Sequence, residues 1–152
     1  MKKISFDSGV REFQINENGV LRFNPSDLNV YNRFIEATDE IKKIENTLVE
    51  KGKELGEKPN GADIIKLMCE ADQQIKNVLV GIFGAQNDFD QIFDGVNLMS
   101  VAGNGERVIT NFFAAISPVM EDGVRKFADA EAEKVKAGMN RAQRRAASKA
   151  KK

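Results

Sequence analysis

Apolar and polar residues alternate along the first part of the chain. Turn-forming stretches at 7–9 and 16–19 separate the alternating segments, and the second stretch ends in Asn-Gly. Period-2 alternation around such a turn predicts a β-hairpin. We therefore predict a hairpin or a small meander of two or three strands over residues 3–23, packed on other elements through its apolar face. The apolar pairs that carry this pattern are Ile4 and Phe6, Phe13 and Ile15, and Leu21 and Phe23.

From residue 24 the apolar spacing changes to three and four, which predicts amphipathic helices. The first helix is expected to begin with Asn24 as its N-cap and Pro25 in its first turn, and to end near Leu55 before Gly56. A second, more apolar helix from about residue 62 to a cap at Gly84 is expected to form the centre of the core. A short helix over 87–95, another turn or two over 96–102, and a last helix over about 106–136 complete the prediction.

These elements predict a mostly α (α+β) fold, with the N-terminal hairpin or meander packed on a bundle of about four helices. The 152 residues suit one domain, and the apolar pattern weakens after Phe127. We assign residues 1–128 to a single helical domain and residues 129–152 to a charged helical extension and basic tail. No apolar run approaches the ~20 residues of a membrane span, and no secretory signal follows the lysines at positions 2 and 3.

The charge is distributed unevenly along the chain. Residues 139–152 carry six positive charges and no acid, while the other 138 residues hold 17 Lys+Arg and 23 Asp+Glu. A basic tail therefore cancels an acidic body. Packing of a core does not require such a charge asymmetry, so the asymmetry indicates a charged partner.

The composition argues against most enzymes. The chain has no histidine, which excludes Ser-His-Asp triads, Cys-His pairs and imidazole metal ligands. Asp88, Asp90 and Asp94 do not match a calcium loop, because Phe93 and Met99 stand where its Gly and its last acid belong. We predict no catalytic residue, no metal and no cofactor.

Two further candidates have ordinary structural explanations. The Gly-Asn-Gly at 103–105 lacks the rest of a phosphate-binding motif and is expected to be a hinge with Asn104 as an N-cap. Cys69, the one cysteine, is expected to be a buried structural thiol, and its lack of a disulfide partner fits an intracellular protein.

The phenylalanines of the second half have two explanations. Ten Phe beside one Tyr and no Trp mostly indicate a core. The alternative is an exposed apolar groove that takes a partner helix or a like subunit. The residues that we assign to this apolar partner site are Phe89, Phe93, Phe112 and Phe113.

The basic tail leaves three explanations open. It is a solubilising terminus, a segment that binds an acidic protein surface (including the body of a neighbouring copy), or a nucleic-acid binder. The last is less favoured because the tail has no aromatic residue to stack on a base, although its arginines suit phosphate contact. The residues that we assign to this basic partner site are Arg141, Arg144, Arg145, Lys149, Lys151 and Lys152.

Several segments together resemble a family of small phage proteins. They are Ile-Ser-Phe-Asp-Ser-Gly at 4–9, Arg-Phe-Asn-Pro-Ser-Asp at 22–27, Ile-Phe-Gly at 82–84, Phe-Asp-Gly-Val-Asn at 93–97 and Met-Asn-Arg-Ala-Gln-Arg-Arg at 139–145. The chain resembles the tail-assembly chaperones that tailed phages and prophages of Gram-positive bacteria encode next to the tape measure protein.

The resemblance implies a non-enzymatic protein of the bacterial host cytoplasm that binds the tape measure protein or other tail components until the tail tube forms. It is also compatible with a homo-oligomer. Two other functions remain open: a structural tail or connector component of the virion, and a small nucleic-acid-binding protein that acts through its basic tail.

Overall fold

Two strands and four helices make up the part of the chain that the structure describes. This computed structural model describes residues 1–150, with side chains to residue 146. The strands β1 (Arg11–Ile15) and β2 (Gly19–Phe23) are followed by the helices α1 (Leu28–Glu54), α2 (Gly61–Phe83), α3 (Phe89–Ile92) and α4 (Val108–Ala150). The fold is therefore mostly helical with an N-terminal hairpin, as the sequence predicts. Every helix within residues 1–150 is too short or too polar to span a bilayer.

The hairpin forms where the alternation and the Asn-Gly turn coincide. β1 and β2 pair antiparallel, with Phe13 opposite Leu21, and the buried Leu21 and Phe23 attach the hairpin to the helices. Of the two or three strands that the sequence predicts, two form: residues 1–10, with Ile4 and Phe6, belong to no strand.

The first helix begins later than predicted because Asn24 is engaged elsewhere. The Asn24 carboxamide accepts a hydrogen bond from the Ser26 amide and donates one to the Ser8 carbonyl, at 2.8 and 3.0 Å. Asp27 is the N-cap instead, and it accepts a bond from the Asn29 amide at 2.9 Å. An Asx turn at Asn24 thus replaces the predicted first helical turn.

The helix α2 lies at the centre of the fold through its C-terminal half. Asn60 caps its start, and Gly84 ends it with a φ of 106°, a conformation that favours glycine. Its buried residues all lie between 71 and 83; the exposed Cys69 precedes them. The prediction of a buried thiol at Cys69 is therefore wrong, because this position faces away from the core.

Residues 96–107 fold as an irregular loop rather than as the predicted helical turns. Asn97 accepts a bond from the Met99 amide and donates one to the Met68 carbonyl, which bends the chain and buries Leu98 and Met99. Asn104 is not a helix cap. It bonds to the Glu106 amide, while α4 begins at Val108.

The helix α4 runs beyond its predicted end near residue 136 and continues to Ala150. Its buried residues end at Gly123, and every residue from 125 to 146 is exposed. Gly123 lies against the segment before α1: a Cβ atom there would stand 1.9 Å from the Pro25 carbonyl oxygen. The division into a domain and an extension at residue 128 stays a prediction, because the helix passes that position without a break.

Candidate functional site

The predicted apolar site residues belong to a cluster of phenylalanines where α2, α3 and α4 meet. The Phe112 ring centroid lies 5.1 Å from that of Phe93 and 6.3 Å from that of Phe83, with edge-to-face geometry in both pairs. Phe89 packs on Phe93 at 6.1 Å, and Phe113 packs on Phe34 of α1. Aromatic pairs at these distances add stability beyond their buried area. The cluster is therefore part of the core.

Only two of the four predicted phenylalanines border a space that a partner could enter. Phe89 is 3% exposed, and Phe113, half-buried against α1, lies away from that space. Phe93 and Phe112 are 8% and 7% exposed, and they form the floor of an open groove. The structure thus brings Phe93 and Phe112 together and separates them from Phe89 and Phe113.

This β1–α4 groove runs between β1 on one side and α4 on the other. It encloses about 550 Å³, the size of a small-ligand or single-segment site. Its lining is chiefly apolar and contains no charged side chain. The main apolar lining residues are Phe13, Ile15, Phe93, Phe112, Ile116 and Val119.

The groove follows the free edge of β1. Gln14 lines it together with its neighbours Phe13 and Ile15. Because successive side chains of a strand point to opposite faces, the groove must run along the edge of β1 rather than over one of its faces. A second cleft of about 460 Å³ continues along β1 past Arg11 and Glu12. The hairpin is a two-stranded sheet within residues 1–150, so no strand occupies this edge.

One side chain occupies the β2 edge of the hairpin at Arg22. The Asn87 carboxamide accepts a hydrogen bond from the Arg22 amide and donates one to the Arg22 carbonyl, at 2.8 and 3.0 Å. The side chain of Asn87 thus satisfies both main-chain groups of β2 at this position, and Asn87 itself is 4% exposed. Exposed edges invite pairing with another chain. Asn87 blocks such pairing at Arg22 on the β2 edge, whereas no strand of the described residues pairs with the β1 edge.

A buried lysine holds the elements beneath the cluster together. The Lys76 ammonium lies 2.9 Å from Asp72 and 2.8 Å from Asp90, and Asp72 also accepts a bond from the Leu98 amide. Burial alone would lower the pKa of Lys76, but the hydrogen bonds and charges of Asp90 and Asp72 outweigh it and raise that pKa above its ordinary value. The network joins α2 to α3 and to the 96–107 loop, which fixes Phe93 at the groove.

The basic site residues that the structure describes lie on the exposed end of α4. Arg141, Arg144 and Arg145 are spaced by three and four residues along a helix, so they share one face. All three are exposed. The side chain of Lys149, and Lys151 and Lys152, lie outside the described residues. This basic face stands well beyond the last buried turn of α4.

The acidic residues weighed as a calcium site do not form a metal site among the described residues. No group of three or more His, Cys, Asp or Glu side chains within them is placed to hold a metal ion. Asp88 caps α3 and Asp90 pairs with Lys76, so two of the rejected calcium candidates have structural roles.

Sequence reasoning missed the β1 side of the groove. Phe13 and Ile15 were predicted as one face of a hairpin, and this period-2 signal was the only indication of a site there. Whether an edge stays free depends on which strands pair, and the local sequence does not determine that pairing.

No protein-family model, curated protein or solved structure matches this chain.

Proposed function

We propose that this chain is a tail-assembly chaperone of a tailed phage or prophage of a Gram-positive bacterium. It acts in the host cytoplasm, without a cofactor, by holding the tape measure protein or another tail component before the tail forms. The observation that carries the proposal is the open apolar groove beside an unpaired strand edge, on the same helix that ends in a basic face. The family resemblance of the sequence supplies the class of partner.

The groove and the basic face divide the work of binding. An apolar segment of the partner enters the groove and covers Phe93, Phe112 and Ile116, and the removal of this surface from water supplies the affinity. The arginines at 141, 144 and 145 attract acidic groups on the partner from a distance, and this contribution weakens as salt screens it. A chaperone needs such reversible contacts, because its client must be released when the tube subunits arrive.

Co-purification from cells that express the native operon tests the proposal. The tagged protein is captured with and without nuclease, and the account predicts a tape measure or other tail protein in the eluate under both conditions. An eluate of nucleic acid alone, lost on nuclease treatment, would contradict it and favour the alternative in which the arginine face binds phosphates.

Matched variants connect the capture to the groove. Ala115 is exposed and lines the groove, whereas its neighbour Ala114 is exposed and does not. Ala115→Arg places a long charged side chain in the apolar groove, so it should abolish capture, while Ala114→Arg should not. Equal capture by both variants would remove the groove from the proposal.

A second pair of variants tests the basic face. Gln at positions 141, 144 and 145 should weaken capture most at low salt, because the lost attraction is electrostatic. The control replaces Lys134 and Lys136 with Gln; these lysines pair with Glu131 and Glu133 on the same helix, and their replacement should leave capture unchanged.

Presence of the protein in purified particles would instead favour the structural virion component.

A further inference from the structure

The N-terminal arm, residues 1–10, has the pattern of a strand but no partner. It contains no secondary structure, and two of its large apolar side chains, two residues apart, are almost fully exposed: Ile4 at 83% and Phe6 at 82%. Residues two apart in an extended chain point to the same side. The arm therefore presents one apolar face to solvent, which is costly unless another surface covers it.

The free edge of β1 can accept a strand of this kind. The hydrogen bonds of Asn87 to Arg22 show that Arg22 and its partner Glu12 turn their main-chain groups away from each other. The main-chain groups of Glu12 and Gln14 consequently face the β1–α4 groove. A strand laid along this edge would gain main-chain hydrogen bonds and could place apolar side chains against Phe93 and Phe112.

Hydrogen bonds at residues 7–9, where the arm joins the hairpin, hold the arm away from the groove of its own chain. The Asp7 carboxylate accepts a bond from the Gly9 amide at 2.8 Å, and Asn24 holds the Ser8 carbonyl. Gly9 adopts a φ of 79°, which suits glycine in such a turn. With these hydrogen bonds formed, residues 1–8 are all exposed, so the arm leaves the groove of its own chain open.

We propose that the arm of one copy adds to the free β1 edge of a second copy as a third strand, with Ile4 and Phe6 seated in that copy's β1–α4 groove. Six or seven residues of arm match the five residues of β1 in length. The same groove is the proposed partner site, so exchanged arms would cover it until a partner displaces them. This exchange involves only copies of this chain and does not depend on the identity of that partner.

The charges favour an antiparallel arm. In that direction Asp7 lies beside Arg11 at one end of β1, and Lys2 and Lys3 lie beside Glu17 at the other. A parallel arm would place its lysines beside Arg11. Opposite charges across neighbouring strands stabilise pairing and like charges oppose it, so the second copy is a matched occupant.

Cross-linking between differently tagged chains tests the exchange. In a Cys69→Ser background, one chain carries Ser5→Cys in the arm and the other carries Gln14→Cys at the β1 edge. A short bismaleimide should join the two chains into a covalent dimer of about twice 16.9 kDa. Pairing Ser5→Cys with Val49→Cys, an exposed position on α1, should give no such product.

The opposite result is equally distinct. If the arm occupies its own groove, one chain that carries both Ser5→Cys and Gln14→Cys should cross-link internally at high dilution, and the mixture of single variants should stay monomeric. That result, or monomers without any cross-link, would overturn the proposal.

The mass of the pure protein gives a second readout without cysteine variants. Light scattering of the full chain should show particles of two or more copies, and Ile4→Ser/Phe6→Ser should reduce them to 16.9 kDa. Both substituted residues are exposed, so the fold should persist. The control Ile64→Ser/Ile65→Ser removes two exposed apolar side chains from α2 and should leave the oligomer intact. A monomeric wild-type protein at high concentration would refute the exchange.

Discussion

One helix, α4, contains two regions that are stabilised by different forces. Its inner part, residues 108–124, buries Ile109, Phe112, Ile116 and Met120 in the core. Its outer part, residues 125–150, buries none of the side chains that the structure describes. The first is held by packing, and the second by the helix-forming tendency of its alanines, lysines and arginines.

The difference separates stability from binding. Ion pairs of the outer part, such as Lys134 with Glu131 at 3.6 Å and Lys136 with Glu133 at 4.0 Å, are exposed and contribute only a few tenths of a kcal/mol each. Most helical stability in proteins comes from tertiary packing, and the outer part makes none with its described side chains. The outer part is therefore free to serve a partner, and changes in it should hardly affect the fold.

The largest contrast should come from shortening one side chain in each part. Phe112→Ala removes a ring that packs on Phe83 and Phe93 and should lower the free energy of unfolding by about 4 kcal/mol. Met139→Ala, at a position that is 57% exposed, should change it by less than about 0.5 kcal/mol. Urea unfolding of both variants measures the difference; similar losses would mean that the outer part is also packed.

Two glycines of α4 should respond to alanine with opposite signs. Gly123→Ala drives a Cβ atom into the Pro25 carbonyl oxygen and should cost about 3 kcal/mol. Gly138→Ala meets no atom within 4 Å and should stabilise the helix by about 0.5 to 1 kcal/mol. Thermal unfolding compares the two, and a neutral Gly123→Ala would show that α4 does not cross Pro25 closely.

Within α2, a buried charge should matter to folding where an exposed charge does not. Lys76→Met leaves Asp72, whose side chain is only 15% exposed, without its cation, and should cost about 2 kcal/mol. Lys66→Met, at an exposed position of the same helix, is the control and should be nearly neutral.

The pH dependence of this loss has a definite sign. Folding raises the pKa of Lys76 above its ordinary 10.5, so its stabilisation is complete at neutral pH and disappears only as the pH rises through the raised value. The difference between wild type and Lys76→Met should be constant from about pH 7 to 10 and shrink above that range. A difference that shrinks between pH 7 and 9 would contradict the ion-pair geometry.

The smallest effect should come from deleting residues 139–152. The melting temperature should stay within about 2 °C of wild type, because the deletion removes no described contact with the core. Capture of the partner should weaken, most clearly at low salt. Collapse of the fold on truncation would mean that the tail is structural.

The sequence predicted those features that depend on local chemistry. The β1–β2 hairpin and the cap at Gly84 followed from period-2 alternation, an Asn-Gly turn and a glycine stop. Local signals misplaced the start of α1, because the Asn24 side chain bonds to Ser8, a residue that is distant in sequence. Whether Cys69 faces the core or the solvent depends on how α2 packs, so only the tertiary structure shows that it is exposed.

The candidate site was predictable only in part. The phenylalanine content indicated an apolar cluster, and two of its predicted members, Phe93 and Phe112, line the groove. The other two lie away from the groove, because Phe89 packs on Phe83 of α2 and Phe113 packs on Phe34 of α1. These contacts join distant parts of the chain, so local spacing does not predict them. The common face of the arginines at 141, 144 and 145 follows from helical spacing alone, once the tail is helical.

Amide hydrogen exchange along α4 tests the division of this helix most directly. In the free protein, protection should be high from Ile109 to about Val124 and fall at least 100-fold over residues 125–146, because only the inner part is held by packing. With the co-purified partner bound, protection should extend into the outer part. Uniform strong protection of the whole helix in the protein without its partner would contradict the account.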